Sequence, residues 1–365
     1  MMLNEKEKYR YSRHLLLGKV GEEGQNKLKA SKVLVVGAGG LGCPILQYLT
    51  AAGVGTIGII DFDKVDETNL QRQVLFTTND IGKNKAEVAA NRLKELNEYV
   101  QFNVYPERLT NKNALELFSQ YDIVVDGTDN FSTRYLVNDA CIKTNRPLVY
   151  GAIYKFEGQV SVFNYKGGPS YRCLFPEAPE VGSVPNCSDI GVIGVLPGLI
   201  GTQQANEVIK IILQIGQPLS GKLVMFDALN ASQFVVEIKR NEEQIKIVQG
   251  LDFENYDYDF FCGVKTNNEI PQINLEELQK LVEKEDIQII DVREHWEQPK
   301  FNKGRVLNVP LDDLEDYIEM IDKNKKVVVI CQSGGRSMKA IDFLQREYQF
   351  RNLINLKEGI KNYIG

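Results

Sequence analysis

The stretch KVLVVGAGGLGCPILQYLTAAG, Lys32 to Gly53, constrains the fold of this chain more than any other. A β-branched run leads into Gly37, Gly39, Gly40 and Gly42, and an apolar helical pattern follows. Strand, glycine turn and helix in that order make a G-x-G-x-x-G unit. Its glycines permit a tight turn and close backbone approach, and the helix N-terminus beyond them attracts phosphate. The unit predicts a strand in a parallel sheet and a bound nucleotide. By itself it does not separate a dinucleotide used for hydride transfer from a triphosphate attacked at phosphorus.

The alternation continues downstream. TIGIIDFD, VQFNVYP, YDIVVDGTDN, RPLVYGAIY and GQVSVFNY read as strands, with helices over Lys83–Leu96 and Thr133–Thr144 among them. Continuous apolar runs suit parallel strands covered on both faces, so the fold class is α/β with a mainly parallel sheet. Residues 165–185, rich in Gly, Pro and Ser, read as an irregular loop. Leu196–Leu213 reads as a helix started by Pro197, and KLVMFDALNASQFVVEIKR as a closing pair of strands. The pattern then breaks. LDFENYDYDFFC holds four acids, five aromatics and no base, which suits either a segment docked on one domain or a solvated connector. From Glu269 strands and helices restart. For 365 residues two domains are the natural expectation, here 1–245 and 270–365 with a linker over 246–269.

Bulk properties narrow the function classes. A net charge of −6 argues against a general nucleic-acid binder. The charged N-terminus lacks the apolar core of a signal peptide, and the apolar stretch near residues 190–201 is short and broken by Gly and Pro. Six cysteines without any C-x-x-C fit free thiols in a reducing compartment, so the expected location is cytoplasmic.

Residues near the glycine loop favour phosphoryl chemistry. Asp61 ends the second strand, 19 positions beyond Gly42, where it can hold a ribose hydroxyl. Asn69, Arg72 and Gln73 follow it, Lys85 opens the next helix, and Asp129 falls at the end of another strand. Arg72 and Lys85 bring two positive charges to the crevice, and Asp129 an oxygen ligand suited to Mg²⁺. Cations with a metal carboxylate suit a triphosphate; hydride transfer needs neither.

The motifs RYSRHLLLG, VGAGGLGCP, DFDKVDETNLQRQ, GKNKAEVA, DGTDN, RCLFP and NCSDIGVIGVLPGLIG, in this order, resemble those of the MoeB/ThiF-type sulfur-carrier adenylyltransferases, relatives of the ubiquitin-activating enzymes. The resemblance spans about residues 5 to 240 and implies a Rossmann-like fold of that family. It implies that Gly37, Gly39, Gly40, Gly42, Asp61, Asp63, Asn69, Arg72, Gln73, Lys85 and Asn130 hold ATP, and that Asp129 positions Mg²⁺. Arg13 would reach the phosphates of a neighbouring subunit in a homodimer. The substrate would be the Gly-Gly tail of a ubiquitin-like sulfur carrier, whose carboxylate attacks the α-phosphate and expels pyrophosphate. A carboxylate is already a nucleophile at neutral pH, which agrees with the absence of histidine between Leu15 and Glu294. Pathways to molybdopterin, thiamine, cysteine or thiolated tRNA would look alike here.

The chain departs from that family at its zinc site, usually two C-x-x-C pairs. Ser170 stands where one cysteine would, only Cys173 remains, and Gln244 and Ile247 align with the second pair. No structural zinc is expected, and packing, with residues 250–262 as the candidate, must replace it. Cys187 matches the family cysteine associated with thioester or acyl-disulfide chemistry; its alternative is a small buried residue.

KVVVICQSGGRSMKA places Cys331 directly after a strand, with a loop and then a helix near Ser337. Backbone N–H groups, the helix N-terminus and Arg336 would all favour a thiolate or persulfide. C-x-x-G-x-R-S, IIDVRE (Asp291, Arg293, Glu294) and NLKEGIKNYI resemble the rhodanese-type sulfurtransferases, whereas EQPKFNKGRVLNVPL departs from them as a modified loop. A persulfide on Cys331, loaded by a cysteine desulfurase or from thiosulfate, would then supply sulfur to the adenylated carrier. Two alternatives remain: a non-catalytic carrier- or nucleotide-binding regulator, and an NAD-dependent dehydrogenase resting on the glycine loop and Asp61 alone.

Overall fold

The computed structural model describes residues 2–179, 191–262, 270–361 and 363. They form two compact units, the first ending at Cys262 and the second made of the residues after it.

The first unit is built on eight strands: β1 Lys32–Val36, β2 Thr56–Ile60, β3 Gln101–Tyr105, β4 Ile123–Asp126, β5 Leu148–Tyr154, β6 Glu157–Phe163, β7 Lys222–Asp227 and β8 Ser232–Glu237. Their order is β3-β2-β1-β4-β5-β6-β7-β8. The first five are parallel and the last three antiparallel. Successive side chains of a strand point to opposite faces, and at β1 both faces are covered. Val33 and Val35 therefore join Ile45, Leu46 and Leu49 of the helix Gly42–Ala52 in one core. Leu34 and Val36 join Tyr135 and Val137 of the helix Phe131–Lys143 in another. The chain steps outward from β1 to β3 and returns to set β4 on the other side of β1. That reversal opens a crevice at the carboxyl ends of β1 and β4.

The second unit is a parallel sheet of β9 Gln272–Ile273, β10 Gln288–Asp291, β11 Arg305–Asn308, β12 Val327–Ile330 and β13 Leu353–Leu356, in the order β11-β10-β12-β13-β9. Here the reversal falls between β10 and β12. β11 lies inside the segment expected to be a modified loop; it is a short edge strand paired only with β10.

Other departures are local. Residues 171–174, inside the expected irregular loop, make a helical turn opened by Ser170. The helix after Cys331 begins at Gly335, two residues before Ser337. No helix among the described residues is long and apolar enough to cross a membrane.

Around Cys173, hydrogen bonds and apolar packing join the segments that a zinc site would join. The Cys173 thiol accepts from the backbone N–H of Ser170 and of Asn241, both at 3.3 Å. Asn241 caps the helix Glu242–Gly250, whose Ile245 and Val248 pack with Ile142 and Cys173. Gln244 is half-buried and Ile247 exposed, so neither points into this contact. Further on, Phe253 and Tyr258 enter the second core. Arg172 donates two bonds of 2.8 Å to the buried Asp139, and Tyr258 Oη donates a third to the same carboxylate at 3.0 Å. The Arg172 guanidinium lies over the rings of Tyr135 and Phe261, 4.8 and 4.6 Å from their centroids. The aromatic segment is thus part of the first unit's core, and its acids lie beside the core aromatics rather than marking a solvated connector.

Candidate functional sites

At the β1–β4 crevice, steric demands on the glycines differ sharply. Gly37 has φ +91°, and a Cβ on it would stand 2.9 Å from Gly127 O. A Cβ on Gly42 would overlap Gly37 O. These two glycines make the turn possible. Gly39 is different: the nearest atom to a Cβ there is Gln73 Nε2 at 3.7 Å. Nothing among the described residues fills that space. Gln73 is buried, and its Oε1 has no hydrogen-bond partner among the described residues.

The other predicted residues gather around this loop. Asp61 Oδ2 accepts from the Ala38 N–H and Oδ1 from the Asp63 N–H, both at 2.8 Å, clamping the end of β2 to the glycine turn. Burial raises the Asp61 carboxyl above the usual range, and those two N–H groups oppose the rise. Lys85 opens the helix Lys85–Leu96, capped by Asn84, and its buried side chain places Nζ 3.2 Å from Asp63 Oδ2. Arg72 is half-buried beside Gly40 and donates to Thr68 O at 3.1 Å. Asn69 is spent locally, its Oδ1 accepting from the Asp66 N–H at 3.3 Å.

Asp129 lies three residues past β4, in the loop before the next helix, rather than on the strand end. The helix cap is Asn130, which accepts from the Thr133 N–H at 2.9 Å. Asp129 is exposed, and its carboxylate has no hydrogen bond or ion pair among the described residues. One free carboxylate fits Mg²⁺, which keeps several waters and takes substrate phosphate oxygens as ligands. It does not fit a closed metal site, and no group of three or more His, Cys, Asp or Glu among the described residues could hold a metal.

Arg13 lies on the short helix Ser12–Leu15 and is exposed without a partner among the described residues. Its neighbours anchor it. Tyr11 Oη accepts from the buried Asn97 at 2.8 Å, and His14 Nδ1 bonds Gln25 Oε1 at 2.9 Å. Cys187 lies outside the described residues. Cys43 and Cys141 are buried, and burial pushes the Cys43 thiol up to about 12, which suits packing rather than nucleophilic roles.

The second site is closed. Cys331 is 1% exposed. Its Sγ accepts from the Gly334 N–H at 3.1 Å and lies 3.3 Å from Ser337 Oγ. Ser337 donates to Gly334 O at 3.0 Å and lies 2.7 Å from Asn355 Oδ1. Gly334 caps the helix Gly335–Tyr348 at φ +89°, and a Cβ on it would overlap Lys357 O. Gly359 touches the Cys331 carbonyl with equal lack of room. Arg336 is bound bidentately by Glu297 at 2.6 and 2.7 Å, and its guanidinium still interacts electrostatically with Cys331. Arg293, fully buried, pairs twice with Asp291 and donates to Gln332 Oε1 at 2.9 Å, bracing the loop from β10.

Sequence reasoning did not single out Asp126, Thr128, Arg134, Glu297, Gln332 or Ser337. Asp126 and Thr128, inside the quoted DGTDN motif, and Ser337, inside C-x-x-G-x-R-S, carried a local signal.

Comparison with known proteins assigns a family to each of the two domains. The ThiF family model matches residues 11–247, and the rhodanese-like domain model matches residues 274–365. The sulfur carrier protein adenylyltransferase of Thermus thermophilus is 51% identical over 262 residues, 70% of this chain and 97% of that protein. The maize adenylyltransferase and sulfurtransferase MOCS3-2 is 39% identical over 379 residues, 97% of this chain and 78% of that protein. Among solved structures, E. coli MccB with ATP matches with a TM-score of 0.58 at 25% identity, covering 64% of this chain and 73% of that one.

Proposed function

Because this chain belongs to the ThiF family and ends in a rhodanese-like domain, we propose that it adenylates the C-terminal Gly-Gly carboxylate of a ubiquitin-like sulfur carrier and then delivers sulfur to it from Cys331. It is an adenylyltransferase with a sulfurtransferase domain and uses ATP. The observation that carries the reading is an open, cation-bearing crevice and a cradled thiol in one chain, each where a sheet reverses its strand order.

In the first step a carrier carboxylate oxygen attacks the α-phosphorus and pyrophosphate leaves. Arg72 and Lys85, with Arg13 of a second subunit, neutralise phosphate charge; the Gly39 hollow admits the phosphate chain. Mg²⁺, held at Asp129, would neutralise phosphate oxygens. Lys85 would exchange Asp63 for phosphate. In the second step the outer sulfur of a Cys331 persulfide attacks the acyl-adenylate carbonyl and AMP leaves, giving an acyl disulfide. A thiolate, which we assign to Cys187, then attacks Cys331 Sγ, releases the carrier thiocarboxylate and leaves a disulfide for an external thiol to reduce. The persulfide itself comes from a desulfurase or thiosulfate. Carrying both reactions on one chain raises the effective concentration of the sulfur donor. The dehydrogenase alternative rests on the glycine loop and Asp61 alone, and the comparisons lend it nothing.

The test is ATP–pyrophosphate exchange by the full chain with Mg²⁺ and each candidate Gly-Gly carrier. Exchange that depends on one carrier is expected and would also identify the pathway. Bound ATP with no exchange for any carrier would favour the regulator instead.

A further inference from the structure

We propose that Asp126 and Thr128 are positioning residues of the nucleotide site, which hold the backbone around Asp129 so that its carboxylate faces the metal–phosphate complex. The inference rests on the assignment of Asp129 above and names the device that presents it.

Asp126 ends β4 and is wholly buried. Its Oδ1 accepts both the Thr128 N–H at 2.9 Å and the Thr128 hydroxyl at 2.6 Å. An aspartate that bonds the backbone two residues on fixes a turn. Its other oxygen, Oδ2, has no hydrogen-bond partner among the described residues and faces Arg134 Nε at 3.5 Å. Arg134 is buried one turn into the following helix, and its N–H bonds Asn130 O at 3.2 Å. The loop 127–130 is therefore held at both ends by one buried carboxylate, through Thr128 before Asp129 and through Arg134 after it. Gly127 completes the mount. Its N–H bonds Val36 O at 2.8 Å, and it abuts Gly37 with no space for a side chain on either. The glycine turn and the Asp129 loop thus meet backbone to backbone. A buried carboxylate is costly to keep, and the two residues whose side chains this one meets, Thr128 and Arg134, flank Asp129. A loop that needed only to connect strand to helix would not require it.

Thr128→Val keeps the shape and removes only the hydroxyl, and Thr128→Ser restores it. Binding of ATP to the full chain is measured by calorimetry with Mg²⁺ and with EDTA, alongside the melting temperature. One hydrogen bond is worth roughly three- to tenfold in affinity. Thr128→Val should weaken Mg·ATP binding by about that factor, leave metal-free ATP binding within about twofold, and lower the melting temperature by no more than the loss of one hydrogen bond, about 1–3 kcal/mol, accounts for. Thr128→Ser should match the wild type. Wild-type Mg·ATP affinity in Thr128→Val overturns the proposal. So does equal loss with and without Mg²⁺, or a wild-type chain that binds ATP alike in both conditions. If the binding pattern holds but no carrier supports pyrophosphate exchange, the positioning role stands and the adenylation reading falls.

Discussion

The two sites occupy equivalent places and are finished to different degrees. Each lies where a parallel sheet reverses its strand order, β1 against β4 in one unit and β10 against β12 in the other. At the first, polar capacity is left over among the described residues: Gln73 Oε1 is unpartnered, Asp129 is free, and Gly39 faces open space. At the second, Cys331, Arg293, Ser337 and Arg336 all have partners within the same unit. A large polyanion must bring its own charge and displace local pairs such as Lys85–Asp63. A single sulfur atom needs only a rigid cradle. On the proposed function, the degree of completion follows the size and charge of what each site would receive.

The strongest way to break the comparison is to remove the thiol. Cys331→Ser should lower formation of carrier thiocarboxylate on the order of a hundredfold or more while pyrophosphate exchange is unchanged. Parallel losses in both assays would mean the sites are not separable. Next come the glycines. Gly42→Ala forces an overlap with Gly37 O and should destabilise the protein by about 1–3 kcal/mol. Gly39→Ala meets nothing nearer than 3.7 Å, so its melting curve should stay within about 0.5 kcal/mol of the wild type. Its ATP affinity should nonetheless fall roughly tenfold, because the methyl fills the hollow kept for phosphate. Unchanged affinity would show that the open space is not a phosphate cradle.

The smallest effect concerns Glu297. The bond from Arg336 holds its carboxyl below the ordinary value of 4.5. A lowered carboxyl stabilises the fold above its unfolded pKa and loses that stabilisation as pH falls through the folded value. Melting of the second unit should therefore weaken below about pH 4.5, and Glu297→Gln should flatten that slope by roughly 0.5 kcal/mol after allowance for the partly exposed Arg336. An identical acid slope in the variant would show that the pair is not what closes this site.

What was legible in the sequence was what local sterics or periodicity dictates. Gly37 and Gly42 are needed by a turn whose shape any strand-to-helix reversal of this kind imposes. The buried runs of β1, β2, β4 and β12 announce themselves by continuous branched residues. Lys85 was readable because a basic residue stood at the start of a helix that follows the second strand. Partnerships across the chain were not readable. Asp139 and Arg172 are 33 residues apart, and Arg293 and Gln332 are 39 apart. Nothing in either local sequence names the other. β11 was missed because a four-residue edge strand carries little pattern. In the aromatic segment, four acids obscured a core contribution from Phe253 and Tyr258.

That segment bears on how such a chain can be recombined. Asp139 and Arg172 are buried against each other, and Tyr258 supplies the third bond. A chain cut at residue 245 would discard that hydroxyl and strip Phe261 from the ring of Tyr135. One cut after Cys262 would keep them. Any exchange of C-terminal modules between relatives should therefore place its seam beyond Cys262, where the donor chain inherits a finished surface instead of an exposed aromatic wound.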